Sequence, residues 1–179
     1  GGELWGTRNA LRLSVSNPNW VRVAKNIGGS GWTSKDIEFS KDLNHCYVSA
    51  GSGIYRIDGL GSVYTSDPDF LTKVNYDQQG STPTATTSTK ITNGAFEGLA
   101  VNPNNADDIV LFAGFNGTNK RSSNATSATP TYTSLTSITS PSVACYDGII
   151  DRDDPNILVV GTSSGVFVTE DGGSTWENS

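Results

Sequence analysis

The residues Gly165–Ser179 decide the fold of this chain, and they read G-V-F-V-T-E-D-G-G-S-T-W-E-N-S. The β-branched and aromatic residues at 166–168 predict a short strand. In the turn that follows, the carboxylate of Asp171 can accept hydrogen bonds from nearby backbone N–H groups, and the glycines after it can adopt positive φ. The stretch therefore predicts a strand, a tight hairpin and the start of a second strand, with Trp176 packed against an apolar surface.

The spacing of Thr169, Asp171, Gly173, Thr175 and Trp176 is similar to that of the Asp-box, also called the BNR repeat. The Asp-box joins the third and fourth strands of blades in sialidases, sortilin-type receptors, xyloglucanase-type glycosidases and several non-enzymatic β-propellers. The resemblance implies an all-β chain, a β-propeller with four-stranded antiparallel blades. It implies little about chemistry, because in those families the Asp-box lies away from the active site. These five residues are therefore expected to be structural.

The strand pattern recurs along the chain, which is typical of repeat architectures. The segment 147–168 reads as strand, polar turn, strand, small-residue turn and strand. Similar segments lie at 36–57 and 96–114, and a partial copy opens the chain at 5–14. Because propellers usually close a ring of about four to eight blades, this count of about three and a half predicts a partial ring or a fragment of a larger propeller.

We expect residues 1–179 to form part of a single β-propeller domain. Its blade segments are predicted at about 1–27, 28–76, 93–136 and 143–179, with a long polar loop at about 77–92. In the first segment, strands are expected at 5–7, 10–14 and 21–23. The stretches 17–20 and 64–70 resemble decayed copies of the Asp-box turn that keep its final aromatic residue.

The composition excludes several classes of function. The net charge is −6 and the pI about 4.6, whereas nucleic acid and anionic membranes attract a basic surface. No apolar run is long enough to span a bilayer, so membrane insertion is not expected. The chain begins with Gly-Gly in place of Met, which indicates a processed, trimmed or excised chain.

Three carboxylates recur near the start of the predicted innermost strands. Asp36, Glu97 and Asp147 are predicted to occupy equivalent sites, and they would then converge at one mouth of the central channel. One reading is a ligand-binding or catalytic cluster, with paired carboxylates acting as acid and base on a glycoside. The other reading is structural, with each carboxylate accepting hydrogen bonds from backbone N–H groups at the entry to its blade.

Two further stretches are candidates for binding. Trp32 follows the glycine-rich residues 28–31, and an exposed aromatic beside flexible glycines suits a surface that closes on a ligand. Asp151, Asp153 and Asp154 could bind calcium through their oxygens, or could form a simple polar turn. No other metal or cofactor is expected.

The remaining reactive residues predict no site. His45 is the only histidine, which argues against a His-based metal site or a Ser-His-Asp triad. Cys46 and Cys145 are expected either to be buried thiols or to form a disulfide.

Sialidases with Asp-boxes would also carry an arginine cluster, and the arginines here are scattered at 8, 12, 22, 56, 121 and 152. The first hypothesis is therefore a non-catalytic propeller module in a secreted or cell-surface bacterial protein. Its partner would be a protein, the remainder of its own propeller, or a glycan. The alternative is a fragment of a glycoside hydrolase that uses Asp36, Glu97 or Asp147.

Overall fold

The computed structural model describes residues 2–6, 21–28, 34–61, 86–115, 117–138 and 143–179. In these ranges the chain consists mainly of strands and turns, which form one two-stranded and three four-stranded antiparallel sheets. The prediction of an all-β chain with four-stranded antiparallel blades is confirmed. No helix in the described ranges is long and apolar enough to cross a membrane.

Each sheet is one blade, and its strands follow the order of the sequence. The first blade contains β1 (Gly2–Gly6) and β2 (Val21–Ile27). The second contains β3 (Ser34–Phe39), β4 (His45–Ala50), β5 (Gly53–Asp58) and β6 (Thr87–Asn93). The third contains β7 (Phe96–Asn102), β8 (Asn105–Ala113), β9 (Lys120–Ser122) and β10 (Thr133–Ser134). The fourth contains β11 (Cys145–Ile150), β12 (Leu158–Thr162), β13 (Gly165–Thr169) and β14 (Glu177–Asn178).

The blades are arranged side by side as in a propeller ring. Strand β3 contacts β7, and β7 contacts β11, so the first strand of each complete blade is the innermost one. Three apolar clusters lie between neighbouring blades, and each contains side chains from two of them. For example, Ile54 of the second blade packs with Leu111 of the third, and both are fully buried. The core is therefore divided among the interfaces between blades.

The predicted polar loop at 77–92 is wrong for residues 87–92, because they belong to β6, the outer strand of the second blade. Threonine is β-branched and favours strands, and an outer strand needs few apolar residues because much of its surface faces water. Ile91 is the one side chain of β6 that is buried. The abundance of Ser and Thr therefore indicates an exposed strand here.

The first blade also differs from the prediction. Strand β1 pairs directly with β2, through Trp5 with Arg22 and Leu4 with Ala24. A strand at 10–14 was expected to separate them, and that order is wrong. Residues 10–14, 17–20 and 64–70 themselves lie outside the described residues.

Gly98 allows the innermost strands of the third and fourth blades to approach closely. A Cβ atom placed on Gly98 would lie 2.9 Å from Cα of Asp147, and closer still to the carbonyl oxygen of Tyr146. Both obstacles belong to the backbone of β11, so neither can rotate away as a side chain could.

We therefore expect Gly98→Ala to lower the free energy of unfolding by about 1–3 kcal/mol, because overpacking forces the backbone to shift. Gly161→Ala is the matched control, since the nearest atom to a Cβ there is 3.8 Å away. Urea unfolding of both variants measures the difference. Equal losses of stability would contradict the proposed steric role of Gly98.

Candidate functional site

In each of the three four-stranded blades the innermost strand begins with a β-bulge, and the bulges define which residues are equivalent. The register shifts between Ser34 and Asp36 in β3 and between Cys145 and Asp147 in β11. Asp36 and Asp147 are therefore equivalent, as predicted from the sequence. In β7 the shift lies between Phe96 and Gly98, so the equivalent residue of the third blade is Gly98.

The predicted equivalence of Glu97 with the two aspartates is therefore wrong. Glu97 is the bulge residue of β7, and its equivalents are Lys35 and Tyr146. The sequence suggested otherwise because Glu97-Gly98 aligns well with Asp147-Gly148. A shift of one residue turns a strand side chain to the opposite face, and a bulge introduces such a shift.

The carboxylate of Asp36 joins the second and third blades. Its Oδ1 accepts a hydrogen bond from the N–H of Ile37 at 2.7 Å, and its Oδ2 accepts one from the N–H of Leu99 in β7, also at 2.7 Å. Burial raises the pKa of Asp36, although these two hydrogen bonds oppose that effect. Both oxygens are therefore engaged in holding backbone.

Asp147 makes the corresponding local contact in the fourth blade. Its Oδ1 accepts a hydrogen bond from the N–H of Gly148 at 2.7 Å, as Asp36 does from Ile37. Within the described part of the chain, no donor binds its second oxygen. Its negative charge contributes to raising the pKa of Asp36 and of Glu38, so the three carboxylates interact electrostatically.

Glu38 is a member of this group that the sequence analysis missed. Burial is the main cause of its raised pKa, followed by the charges of Asp36 and Asp147. It lies two residues after Asp36, on the same face of β3. This i, i+2 spacing was the available signal, but the repeat comparison hid it because the third and fourth blades carry Ala100 and Ile149 at that position.

Glu97 has a different partner. Its Oε2 lies 3.0 Å from Nζ of Lys35, an ion pair between the third and second blades with both side chains partly exposed. Surface ion pairs of this kind contribute little to stability, but the cation balances the charge of this carboxylate.

The acidic turn at 151–154 is held by its own hydrogen bonds. Oδ1 of Asp151 accepts from the N–H groups of Asp153 and Asp154 at 2.8 and 2.9 Å, and Asp154 accepts from Asn156. These bonds lower the pKa of Asp151. No group of three or more His, Cys, Asp or Glu among the described residues is arranged to hold a metal ion. Trp32 lies outside the described residues.

Asp171 is the centre of the turn at 169–176. Its Oδ1 accepts hydrogen bonds from Oγ1 of Thr169 and from the N–H groups of Ser174 and Thr175, at 2.7–2.9 Å. Its Oδ2 accepts one from Oγ1 of Thr175 at 2.7 Å. The hydrogen bonds from Thr175 are the main cause that lowers the pKa of Asp171 to about 2. Both oxygens of this carboxylate are therefore occupied by hydrogen bonds within its own turn.

The rest of the turn connects the fourth blade to the third. Oγ1 of Thr169 accepts a hydrogen bond from the N–H of Gly173 at 3.0 Å, and Nε1 of Trp176 donates to the carbonyl of Thr136 at 3.0 Å. Leu135, beside Thr136, packs closely against Gly173. The turn therefore joins two neighbouring blades at their outer strands.

The single histidine and the cysteines have structural surroundings. Nδ1 of His45 lies 2.7 Å from Oδ1 of Asp58, which also binds Arg56. Cys46 and Cys145 are free and buried, so the disulfide alternative is wrong. Burial raises the pKa of Cys46 to about 12 and also raises that of Cys145, which disfavours the reactive thiolate.

Comparison with known proteins shows the fold alone. No protein-family profile and no curated protein sequence matches the chain. An ancestral GH74 enzyme matches 90% of this chain with a TM-score of 0.58 and 15% identity. YCF48 from Cyanidioschyzon merolae matches 82% with a TM-score of 0.48 and 18% identity. The chain spans only 20% and 42% of the lengths of these two β-propeller structures.

The turn around Asp171 makes stability depend on acidity. Because the folded state lowers the pKa of Asp171 from 3.8 to about 2, its stabilising contribution is complete above the ordinary pKa. The contribution is lost as the pH falls from about 4 to about 2. Asp171→Asn should be less stable than the parent chain at neutral pH, and this difference should shrink across that window. Urea unfolding at a series of pH values measures it, with Glu170→Gln as a control that should show no such change.

The two hydrogen bonds of Asp36 give a separate test of its role. An asparagine offers one oxygen where the carboxylate offers two, so Asp36→Asn leaves the N–H of Ile37 or Leu99 without an acceptor. We expect a loss of about 1–2 kcal/mol in the free energy of unfolding. Glu38→Gln is the matched control: it removes a charge near Asp36 without removing a hydrogen bond, so stability should hold or rise. Equal losses in both variants would contradict the conclusion that Asp36 stabilises the fold through its two hydrogen bonds.

Proposed function

We propose that this chain is a non-catalytic β-propeller module with an Asp-box turn, part of a secreted or cell-surface protein, which binds a protein or a glycan. The engagement of both Asp36 oxygens by the N–H groups of Ile37 and Leu99 carries this proposal. A carboxylate that holds two backbone donors is poorly placed to exchange protons with a substrate.

The other candidate carboxylates support the same conclusion. Glycoside hydrolysis needs two carboxyl groups that flank the scissile bond, one of them a free acid with a raised pKa. Glu97 is paired with Lys35, and Asp147 holds the N–H of Gly148. Asp171 has four hydrogen bonds within its own turn. Each of these groups therefore has a structural task.

The geometry of the turn at 169–176 supports its assignment as an Asp-box. The aspartate accepts from both threonines of the motif, the second glycine is held by Thr169, and the tryptophan reaches the next blade. In the families that carry Asp-boxes this turn is architectural, so its aspartate is not expected to contact a ligand.

A groove between the third and fourth blades supports the glycan half of the proposal. It encloses about 280 Å³ beside the edge of β10. Its lining is rich in hydroxyl groups, from Ser123, Thr131, Thr133, Ser134, Thr136 and Ser174. Among the described lining residues the charged one is Arg121, which is neutralised by two hydrogen bonds to Asp108. A neutral, hydroxyl-rich surface suits a neutral polyhydroxyl ligand.

One observation favours the alternative, a glycoside hydrolase fragment. Glu38 has a raised pKa and interacts electrostatically with Asp36 and Asp147, and its side chain makes no hydrogen bond within the described part of the chain. A carboxyl group of this kind resembles a general acid beside a second carboxylate. In this reading Glu38 would donate the proton, and Asp147 would be its partner.

The two candidates differ in polysaccharide turnover. We expect no release of reducing ends from a panel of neutral polysaccharides above that of the heat-denatured chain. Turnover that falls about a hundredfold or more in Glu38→Gln and Asp147→Asn, with Asp153→Asn unaffected, would establish the hydrolase instead. For the glycan half, binding to arrayed neutral oligosaccharides should be lost in Ser134→Trp, which fills the groove, and kept in Ser164→Trp, which lies on a distant turn.

A further inference from the structure

The contacts between the second and third blades show how one blade of this chain binds the next. Asp36 accepts the N–H of Leu99, and Oγ of Ser49 donates to the carbonyl of Phe96 at 2.6 Å. Tyr47 and Ile54, on the same face of the second blade, are fully buried against the third. We call this face of the second blade the seat. It combines a bracket, which is the pair of hydrogen bonds that Asp36 and Ser49 make with the backbone of β7, with an apolar surface formed by Tyr47 and Ile54.

The fourth blade has a face equivalent to this seat, directed away from the third blade. We call it the far flank, and the strand pairings define its members as Asp147, Ile149, Val159, Gly161, Val166 and Val168. Ile149 is 61% exposed and Val166 is 45% exposed. They take the places of Glu38 and Ile54, so the far flank is more apolar than the occupied seat of the second blade.

Asp147 has the same local geometry as Asp36, but within the described part of the chain only one of its two carboxylate oxygens accepts a hydrogen bond. Its Oδ1 holds the N–H of the next residue at 2.7 Å, as Asp36 holds Ile37. Its Oδ2 is equivalent to the oxygen that binds Leu99 across the blade interface. An acceptor at this position, beside exposed aliphatic side chains, matches the backbone donor that a neighbouring innermost strand provides.

We infer that the far flank seats a further propeller blade, and that Asp147 accepts a backbone N–H from the innermost strand of that blade. This inference does not rest on the proposed binding of a protein or a glycan, but it excludes Asp147 as a catalytic partner of Glu38, because both oxygens of Asp147 would then hold backbone donors. The flank also selects the occupant, which needs apolar side chains on its facing side. The occupant must in addition lack a carboxylate at the position of Gly98. Asp36 and Asp147 each bind the N–H of the residue that follows them. A carboxylate at that position of the occupant would in the same way take the N–H that Asp147 of the far flank needs.

The same requirement argues against a second copy of this chain as the occupant. Its innermost strands already use the donors in question: Ile37 is bound by Asp36, Gly148 by Asp147, and Leu99 by Asp36 of the second blade. The described strands therefore offer no free N–H at this position, and a blade of different sequence is required.

A copy of the third blade is a suitable probe, because Gly98 leaves the N–H of the copied Leu99 free. We would append a copy of residues 94–138 after Ser179, which nearly reproduces the two-residue connection between β6 and β7. Amide hydrogen exchange should be at least about tenfold slower in the copied innermost strand than in an unstructured peptide. Asp147→Ala should remove most of that protection by deleting one charge-assisted hydrogen bond, whereas Asp153→Ala should not.

A second variant separates the bracket from general packing. An appended copy with Gly98→Asp should be less protected, because its new carboxylate would capture the N–H of the copied Leu99. The inference is overturned if the unmodified copy exchanges freely, or if Asp147→Ala and Asp153→Ala act equally. A parent chain that forms a stable dimer in light scattering, dispersed by Ile149→Glu but not by Phe115→Glu, would assign the far flank to a second copy and also overturn it.

Discussion

The close approach of innermost strands is the constraint on which the rest of this structure depends. Near the axis of a propeller the strands of adjacent blades converge, so small residues and backbone contacts must replace large side chains. Gly98 lies against the backbone of Tyr146 and Asp147, and Asp36 binds the backbone of Leu99 directly. Farther from the axis the blades diverge, and apolar side chains such as Ile54, Leu111 and Phe112 fill the space between them.

A second set of contacts repeats on the third strand of each of two blades. Arg56 binds Asp58 of its own blade and donates to the carbonyls of Ala125 and Ser127 in the third blade. Arg121 likewise binds Asp108 and donates to the carbonyl of Pro155 in the fourth blade. The two arginines occupy equivalent positions in the strand pairing. The fourth blade has Val168 there, so its flank lacks this cation and offers an apolar surface instead.

The architecture could be predicted from the sequence because it depends on local and repeated patterns of residues. The Thr169–Trp176 turn, the strand repeats and the polar exterior all follow from residue type and spacing. The sequence misplaced Glu97 because a bulge changes the register without changing the residues that align. Strand β6 was not predicted because threonine-rich outer strands resemble loops. The arginines looked scattered in the sequence because Arg56 and Arg121 become equivalent only after the strands are paired. Contacts between blades join residues about 60 positions apart, as Asp36 and Leu99 do, and no local pattern specifies such contacts.

The carboxylates show why chemistry is difficult to read from a repeat. A residue that recurs in more than one blade can recur because blades must be attached to one another, and Asp36 performs that task with both oxygens. Catalysis requires the opposite condition, a group whose proton is free to move. Glu38 meets that condition better than its recurring neighbours, since burial and two nearby negative charges raise its pKa. The residue that breaks the repeat is therefore the more informative one for chemistry, whereas the residues that keep the repeat describe how the ring is held together.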